Sequence, residues 1–245
     1  MRRFGADLHI HTALSPCAMD EMTPPAIVRA AKDKGLDMIA ICDHNSAKNT
    51  AAVQEAGGDT LAVLAGIEVT TREEVHILGL FPEAQSACRV GDAVAATLPT
   101  ATADALARFG SQPIMDAAGH VVGSESRLLS AASELELAEA VDLIHAHGGL
   151  AVASHLDRPS FSVFSQLGIF PKSVGFDAIE VSAQGYARGR HHELSGLGFP
   201  IVVSSDSHFL SELGTSRTVL ELAEATFGEL AMAFRGRQER RCLLA

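Results

Sequence analysis

Tryptophan is absent from this 245-residue chain and tyrosine occurs once, so aromatic side chains make up only 5% of it. Bases of a nucleic-acid strand stack on aromatic platforms, and so few rings argue against a long strand as ligand. Positive charge is also scarce, with 19 Lys and Arg against 30 Asp and Glu and a formal charge of −11. Proteins that grip DNA or RNA non-specifically do so by neutralising phosphates with Lys and Arg, which this balance disfavours beyond short oligonucleotides. The cysteines are Cys17, Cys42, Cys88 and Cys242, with no C-x-x-C pair among them. That pattern excludes a disulfide framework and points to a reducing, cytoplasmic compartment. No apolar run reaches the roughly 18–20 residues that a membrane-spanning helix needs. The start, MRRFGADLHIHT, turns polar too early for a secretory signal.

What is present suits a tightly wound α/β enzyme: 47% hydrophobic residues and 21 glycines. A short strand over 4–10 ends on His9 and His11. Thr23 then reads as a helix cap, Pro24 as the first helical position and Gly35 as the stop. The apolar run DMIAIC at 37–42 is typical of a strand buried on both faces. A helix over 46–56 and strands near 61–67 and 75–80 follow. Residues 83–148 break the rhythm and read as a mostly helical insertion, interrupted by a hairpin in QPIMDAAGHVVG. The insertion fits either a cap over the site or an oligomer surface. Helix 134–147 leads into strand 150–154. Strand 177–181, a helix near 187–195, strand 200–205 and a closing helix near 223–235 complete a single domain spanning 1–245. Alternating strands and helices imply an α/β fold with a parallel sheet.

Polar residues cluster at the strand ends, as on the catalytic face of a barrel. His9 and His11 are two apart on a strand, so both side chains share a face and can chelate one ion. Asp206 and His208, in SSDSH, repeat that spacing. With Glu68 they complete a first metal site. Two or three metals about 3.5–4 Å apart need a bridging carboxylate, and Glu68 is the candidate. Imidazoles suit Zn, Mn or Fe, and carboxylates suit harder ions such as Mn.

Taken in order, DLHIHT, CDH, GIEV, HILGL, SH and SDSH resemble the PHP (polymerase and histidinol phosphatase) family, from about residue 6 to residue 220. The resemblance implies a distorted (β/α)7 barrel with a trinuclear centre that hydrolyses phosphate esters. It implies that His9, His11, Glu68 and Asp206 hold one metal, and that Glu68, His76 and His155 hold a second. His44 and His208 would hold a third with one ligand from the loop after HIHT, and Asp43 would orient His44. Many relatives carry Asp or His about five residues after the second histidine, but Pro16 stands there. The nearby acids are Asp20 and Glu21, and Glu21 is the expected ligand. SHLDRP at 154–159 stands where many relatives have Ser-His-Pro. It introduces Arg158, which either clamps a substrate phosphate or pairs with Asp157 at the surface.

Other residues have plainer readings. His145 and His147 fall at a helix end, where i and i+2 point apart. His191 and His192 belong to a solvated helix face, and His120 to the hairpin. Cys17 reads as a small buried residue, with zinc ligation by its thiolate as the alternative. The expected activity is hydrolysis of a small phosphate ester by metal-activated water. Two other readings compete: a metal-dependent amidohydrolase, and a regulatory protein that kept the fold. The amidohydrolase calls for a carboxylated lysine, and no lysine falls at an expected strand end.

Overall fold

The pattern of strands and helices is realised in the computed structural model, which describes residues 1–244. β1 (Arg2–Ile10) leads to α1 (Pro24–Asp33), β2 (Met38–Ile41), α2 (Thr50–Gly57), β3 (Ala62–Thr70), β4 (His76–Phe81) and α3 (Ala84–Thr97). Then come α4 (Ala103–Phe109), the hairpin β5 (Pro113–Met115) and β6 (Val121–Ser124), α5 (Leu137–Ala146), β7 (Leu150–Ala153) and α6 (Val163–Leu167). β8 (Ala178–Ser182), α7 (Ala183–Ala187), α8 (Arg190–Leu194), β9 (Ile201–Ser204), β10 (Thr218–Leu222), α9 (Phe227–Phe234) and β11 (Arg241–Leu243) complete the order.

Strands β1, β2, β3, β4, β7, β8 and β9 follow one another around a nearly closed barrel. Backbone hydrogen bonds close the ring, from His11 N–H to the Ser207 carbonyl (3.0 Å) and from Ser207 N–H to the His9 carbonyl (3.3 Å). The distortion is β4, which runs antiparallel to both β3 and β7. β10 and β11 extend the sheet beyond the first half of β1. TVLEL therefore forms a strand, and the closing helix starts only at Phe227.

Alternate residues of the strands fill the barrel, including Phe4, Ala6, Leu8, Met38, Ala40, Leu78, Leu80 and Val152, with Leu230 and Phe234 of α9 packed among them. Ile10, Ile39 and Ile41 face outward against Ile27, Val28 and Val53 of α1 and α2. Burying such a side chain contributes roughly 1.5–3 kcal/mol. A third and larger layer, with Ile67, Val69, Val75, Ile77, Ala153 and Leu156, flanks Glu68, His76 and His155.

The stretch that leaves the barrel is narrower than 83–148. The buried face of α3 (Ala87, Val90, Val94) packs with Ile67 of β3 and Phe81 of β4, and Val141 and Ile144 of α5 join the same layer. Both helices are therefore ordinary barrel helices. The excursion lies between them, at 98–136, and consists of α4, the β5–β6 hairpin and loops. Asn45 ties it to the rim, since its amide donates to the Leu129 and Ala131 carbonyls, both at 2.9 Å.

Candidate metal centre

A break in register aims the first two histidines. β1 and β2 pair at Ala6–Met38 and Asp7–Ile39, then at Ile10–Ile41, so β1 carries one extra residue between them. Such a bulge re-aims the side chains beyond it. Leu8 and His9 consequently both point into the barrel, and His11 follows His9. His155 and Asp206, just past β7 and β9, have φ values of 28° and 51°. These are strained conformations for non-glycine residues, of the kind that concentrates at functional sites.

The result is a buried cluster centred on one carboxylate. Glu68 Oε1 lies 3.4 Å from His9 Nε2, 3.0 Å from His76 Nδ1 and 3.3 Å from His155 Nε2. Glu68 Oε2 lies 3.5 Å from His11 Nε2 and 2.9 Å from His44 Nδ1. Asp206 Oδ1 is 3.3 Å from His9 Nε2 and 3.1 Å from His11 Nε2. The His208 ring stacks on His11 with centroids 4.1 Å apart. Three groups bring their donor atoms within 4.8 Å of one another: His9, His11, Glu68 and Asp206; His44, Glu68 and His76; and His11, His44 and His208.

These residues fit divalent metal ions. Two ligands about 2.0–2.1 Å from a tetrahedral ion stand roughly 3.3 Å apart, close to the His9, His155 and Asp206 separations. His9 Nε2 and His11 Nε2 approach to 3.1 Å, a contact that two neutral imidazoles satisfy only through a shared proton or ion. Glu68 Oε1 and His155 Nδ1 are buried without a hydrogen-bond partner among the described residues. Buried polar atoms are nearly always partnered, so an orphaned carboxylate oxygen among three imidazole nitrogens marks a position suited to a cation.

The electrostatics are divided. Burial lowers His9, His44 and His208, but Asp206, Glu68 and Cys17 around them outweigh it and raise all three, His44 to about 10. An ion would displace their protons, whereas Glu68, Asp206 and His11 stand in the ligating form. Burial works to raise the Glu68 carboxyl, but the His76, His9 and His44 rings outweigh it and hold it well below the usual range. Asp206 is likewise pushed up by burial and pulled down further by His9 and by its hydrogen bond with His11. Burial and the neighbouring His208 and His44 depress His11, leaving a neutral ring able to ligate.

The third group differs from the expectation. Asp20 and Glu21 are exposed, and neither joins a ligand group. The reason is the loop's path. Ala18 N–H donates to the Ser15 carbonyl, Met19 N–H to the His208 carbonyl, and Met22 is buried, which turns Glu21 outward. Cys17 lines a cleft beside His44 instead, although its sulfur joins none of the three groups. Burial pushes its thiol up, but the neighbouring His208 and His44 rings outweigh this and bring it down to about 6. Cys17 is exposed rather than a buried core residue.

Asp43 also acts differently. It accepts from Thr12 N–H (2.7 Å), Thr12 Oγ1 (2.8 Å) and Ser15 Oγ (2.7 Å), not from the His44 ring. Ser15 Oγ in turn sits 2.9 Å from His11 Nδ1, so Asp43 steadies the loop and, through Ser15, the His11 ring. Arg158 Nη1 lies 2.6 Å from Asp206 Oδ2, with 40% of its side chain exposed. Asp157 is not its partner, since that carboxylate accepts from Ser182 N–H and Oγ.

Sequence reasoning passed over Glu180 in DAIEV. It is buried on β8, 3.0 Å from His9 Nδ1, and it accepts from His155 N–H at 3.1 Å. An acid in the middle of an apolar strand was the available signal. Lys48, the lysine nearest the rim in sequence, pairs with Glu125 at 2.5 Å. His145 pairs with Asp177, and His120 with Asp116. His191 stacks with Tyr186 on the α7–α8 segment.

The chain matches the PHP domain over residues 7–166 and a PHP-associated region over 194–238. It belongs to the PHP family. Bacillus subtilis YqxK, a protein of unassigned function, is 24% identical over 263 residues, covering 99% of this chain and 65% of YqxK. Endonuclease Q of Pyrococcus furiosus, described as lesion-specific, superposes with a TM-score of 0.74 at 20% identity, over 99% of this chain and 58% of its own. A Bifidobacterium adolescentis protein provisionally described as a metal-dependent phosphoesterase gives 0.58 at 21% identity, over 83% and 87%. The chain thus spans less than two thirds of the first two. No helix among the described residues is long and apolar enough to cross a membrane.

Proposed function

We infer that the protein is a metal-dependent phosphoesterase acting on a nucleotide or other small phosphate ester. The observation that carries this reading is Glu68, whose two oxygens face five imidazoles. Two to three divalent ions, Mn, Zn or Fe, would be held by His9, His11, Glu68 and Asp206; by Glu68, His76 and His155; and by His44, His208 and Cys17. Such ions supply Lewis acidity and water activated near neutral pH.

The chain's own groups do the rest. Glu180 and Ser15 fix the His9 and His11 rings through their second nitrogens. Arg158 stands at the edge of the cluster, where a planar guanidinium can hold two non-bridging phosphate oxygens. It also lines a cavity of about 630 Å³ with Ser182, Gln184, Arg188, Arg190 and Ser205. Three arginines and Asp157 line that cavity, which meets the ligand cluster through Arg158. Lys32, Lys34 and Lys172 are exposed and Lys48 pairs with Glu125, so none of them offers the buried carboxylated side chain that the amidohydrolase reading calls for.

Screening mononucleotides and small phosphate esters with added Mn²⁺ should detect phosphate release that a chelator abolishes. Turnover of amides alone would overturn the reading. Cys17→Ala should lower the bound metal by one ion per chain by elemental analysis, and unchanged stoichiometry would remove Cys17 from the ligand set. Glu180→Gln should weaken metal affinity about 10- to 100-fold. A competitive chelator titration checks this, and an unaltered titration would limit Glu180 to packing.

A further inference from the structure

Large apolar side chains exposed to water are few, yet Met19, Phe109, Phe161 and Phe209 all lie beside the ligand cluster. Two of them, Phe109 and Phe161, line a cleft of about 400 Å³ that also touches His44, His76, Cys17 and Arg108. That volume lies within the roughly 300–1,000 Å³ range of small-molecule sites.

The Phe161 ring is held in place, and the backbone that carries Phe109 is fixed beside it. Phe161 stacks on the His76 imidazole with centroids 4.6 Å apart and planes 23° apart. Its φ is 56°, a conformation that bulky residues avoid. The strain is fixed on both sides, because the Phe161 carbonyl accepts from His76 N–H (2.9 Å) and Ser162 Oγ donates to the Arg158 carbonyl (2.8 Å). Phe161 nevertheless stays 41% exposed. Phe109 ends α4 and is 48% exposed. Gly110 follows it at φ 102°, and a Cβ there would meet the Pro16 carbonyl oxygen at 3.0 Å. A glycine is thus needed to bring the end of α4 against the loop that carries Cys17.

We propose that this cleft is the leaving-group subsite and takes the nucleobase of a mononucleotide, stacked on Phe109 and Phe161 beside His44 and His76. The proposal rests on the phosphoesterase reading and narrows its substrate to nucleobase-bearing esters. A flat base covers an aromatic wall over its whole face, whereas glycerol covers little of it. Arg108, paired with Asp104 at 3.7 Å in an exposed contact, adds a cation at the rim for stacking or for a polar base edge. The 98–136 excursion supplies Phe109 and Arg108 and so selects the substrate.

Adenosine, which carries no phosphate, tests the subsite apart from the chemistry. Titrated into the full chain and followed by saturation-transfer NMR, it should bind saturably. Phe109→Ala should weaken that binding about tenfold or more, and Phe109→Tyr should restore it. No saturable binding, or equal binding by Phe109→Ala, would overturn the proposal. Adenosine binding without hydrolysis of any phosphate ester would sink the phosphoesterase reading and keep the subsite. Hydrolysis of esters without adenosine binding would do the reverse.

Discussion

Glu68→Gln should slow phosphate-ester hydrolysis by about three orders of magnitude, the upper end of what one lost electrostatic group costs at a reacting centre. The substitution keeps shape and volume, so packing inside the barrel is undisturbed. What changes is charge and donor capacity. A carboxylate offers lone pairs in several directions and can bridge ions, whereas an amide offers one oxygen and turns N–H donors toward the imidazoles. Oε1 now faces His9, His76 and His155, and Oε2 faces His11 and His44. Whichever oxygen becomes nitrogen, at least two imidazoles lose an acceptor. Bound metal should fall by at least one ion while the circular dichroism spectrum is retained. Activity within tenfold of the parent would remove Glu68 from the centre.

Gly66→Ala should lower the melting temperature by about 5–10 °C. A Cβ at this position would lie 2.6 Å from Cys42 Sγ and 2.7 Å from the Ile41 carbonyl oxygen. The second contact is with backbone, which cannot rotate away. β3 is paired on both sides, with Ala65 opposite Ile41 on β2 and Gly66 opposite Leu80 on β4, so it cannot slide. Overpacking of this kind costs about 1–3 kcal/mol or more, and each kcal/mol shifts the transition by roughly 2–4 °C at this chain length. Because Glu68 is two residues further along the strand, metal affinity should fall as well. Calorimetry on the metal-free chain isolates the steric part, and an unchanged melting temperature would show that β3 has room.

Much of the side-chain cluster was legible because residue spacing on a strand is local. Two histidines at strand spacing share a face wherever the strand lies, and SSDSH repeats the device at another strand end. The bulge in β1 was not legible, because it depends on pairing with β2. The antiparallel course of β4 was hidden for the same reason, and His76 enters the rim from the start of its strand.

Proximity to HIHT and a place just before the Met-Thr-Pro helix start point to Glu21. The loop's own hydrogen bonds, together with burial of Met22, turn it to solvent and bring Cys17 to the histidines. Glu180 went unnoticed inside an apolar run because its partner, His9, lies 171 residues away. Composition also misled about aromatics. With 11 phenylalanines and one tyrosine the chain is poor in rings, but three of the exposed ones gather beside the ligand cluster.

The most direct test is elemental analysis of the purified chain after exchange into buffer containing Mn²⁺ or Zn²⁺. Two to three ions per chain, falling in Glu68→Gln and His9→Ala, is the predicted result. Fewer than one ion per chain, or a stoichiometry that neither substitution changes, would contradict a metal centre built on Glu68.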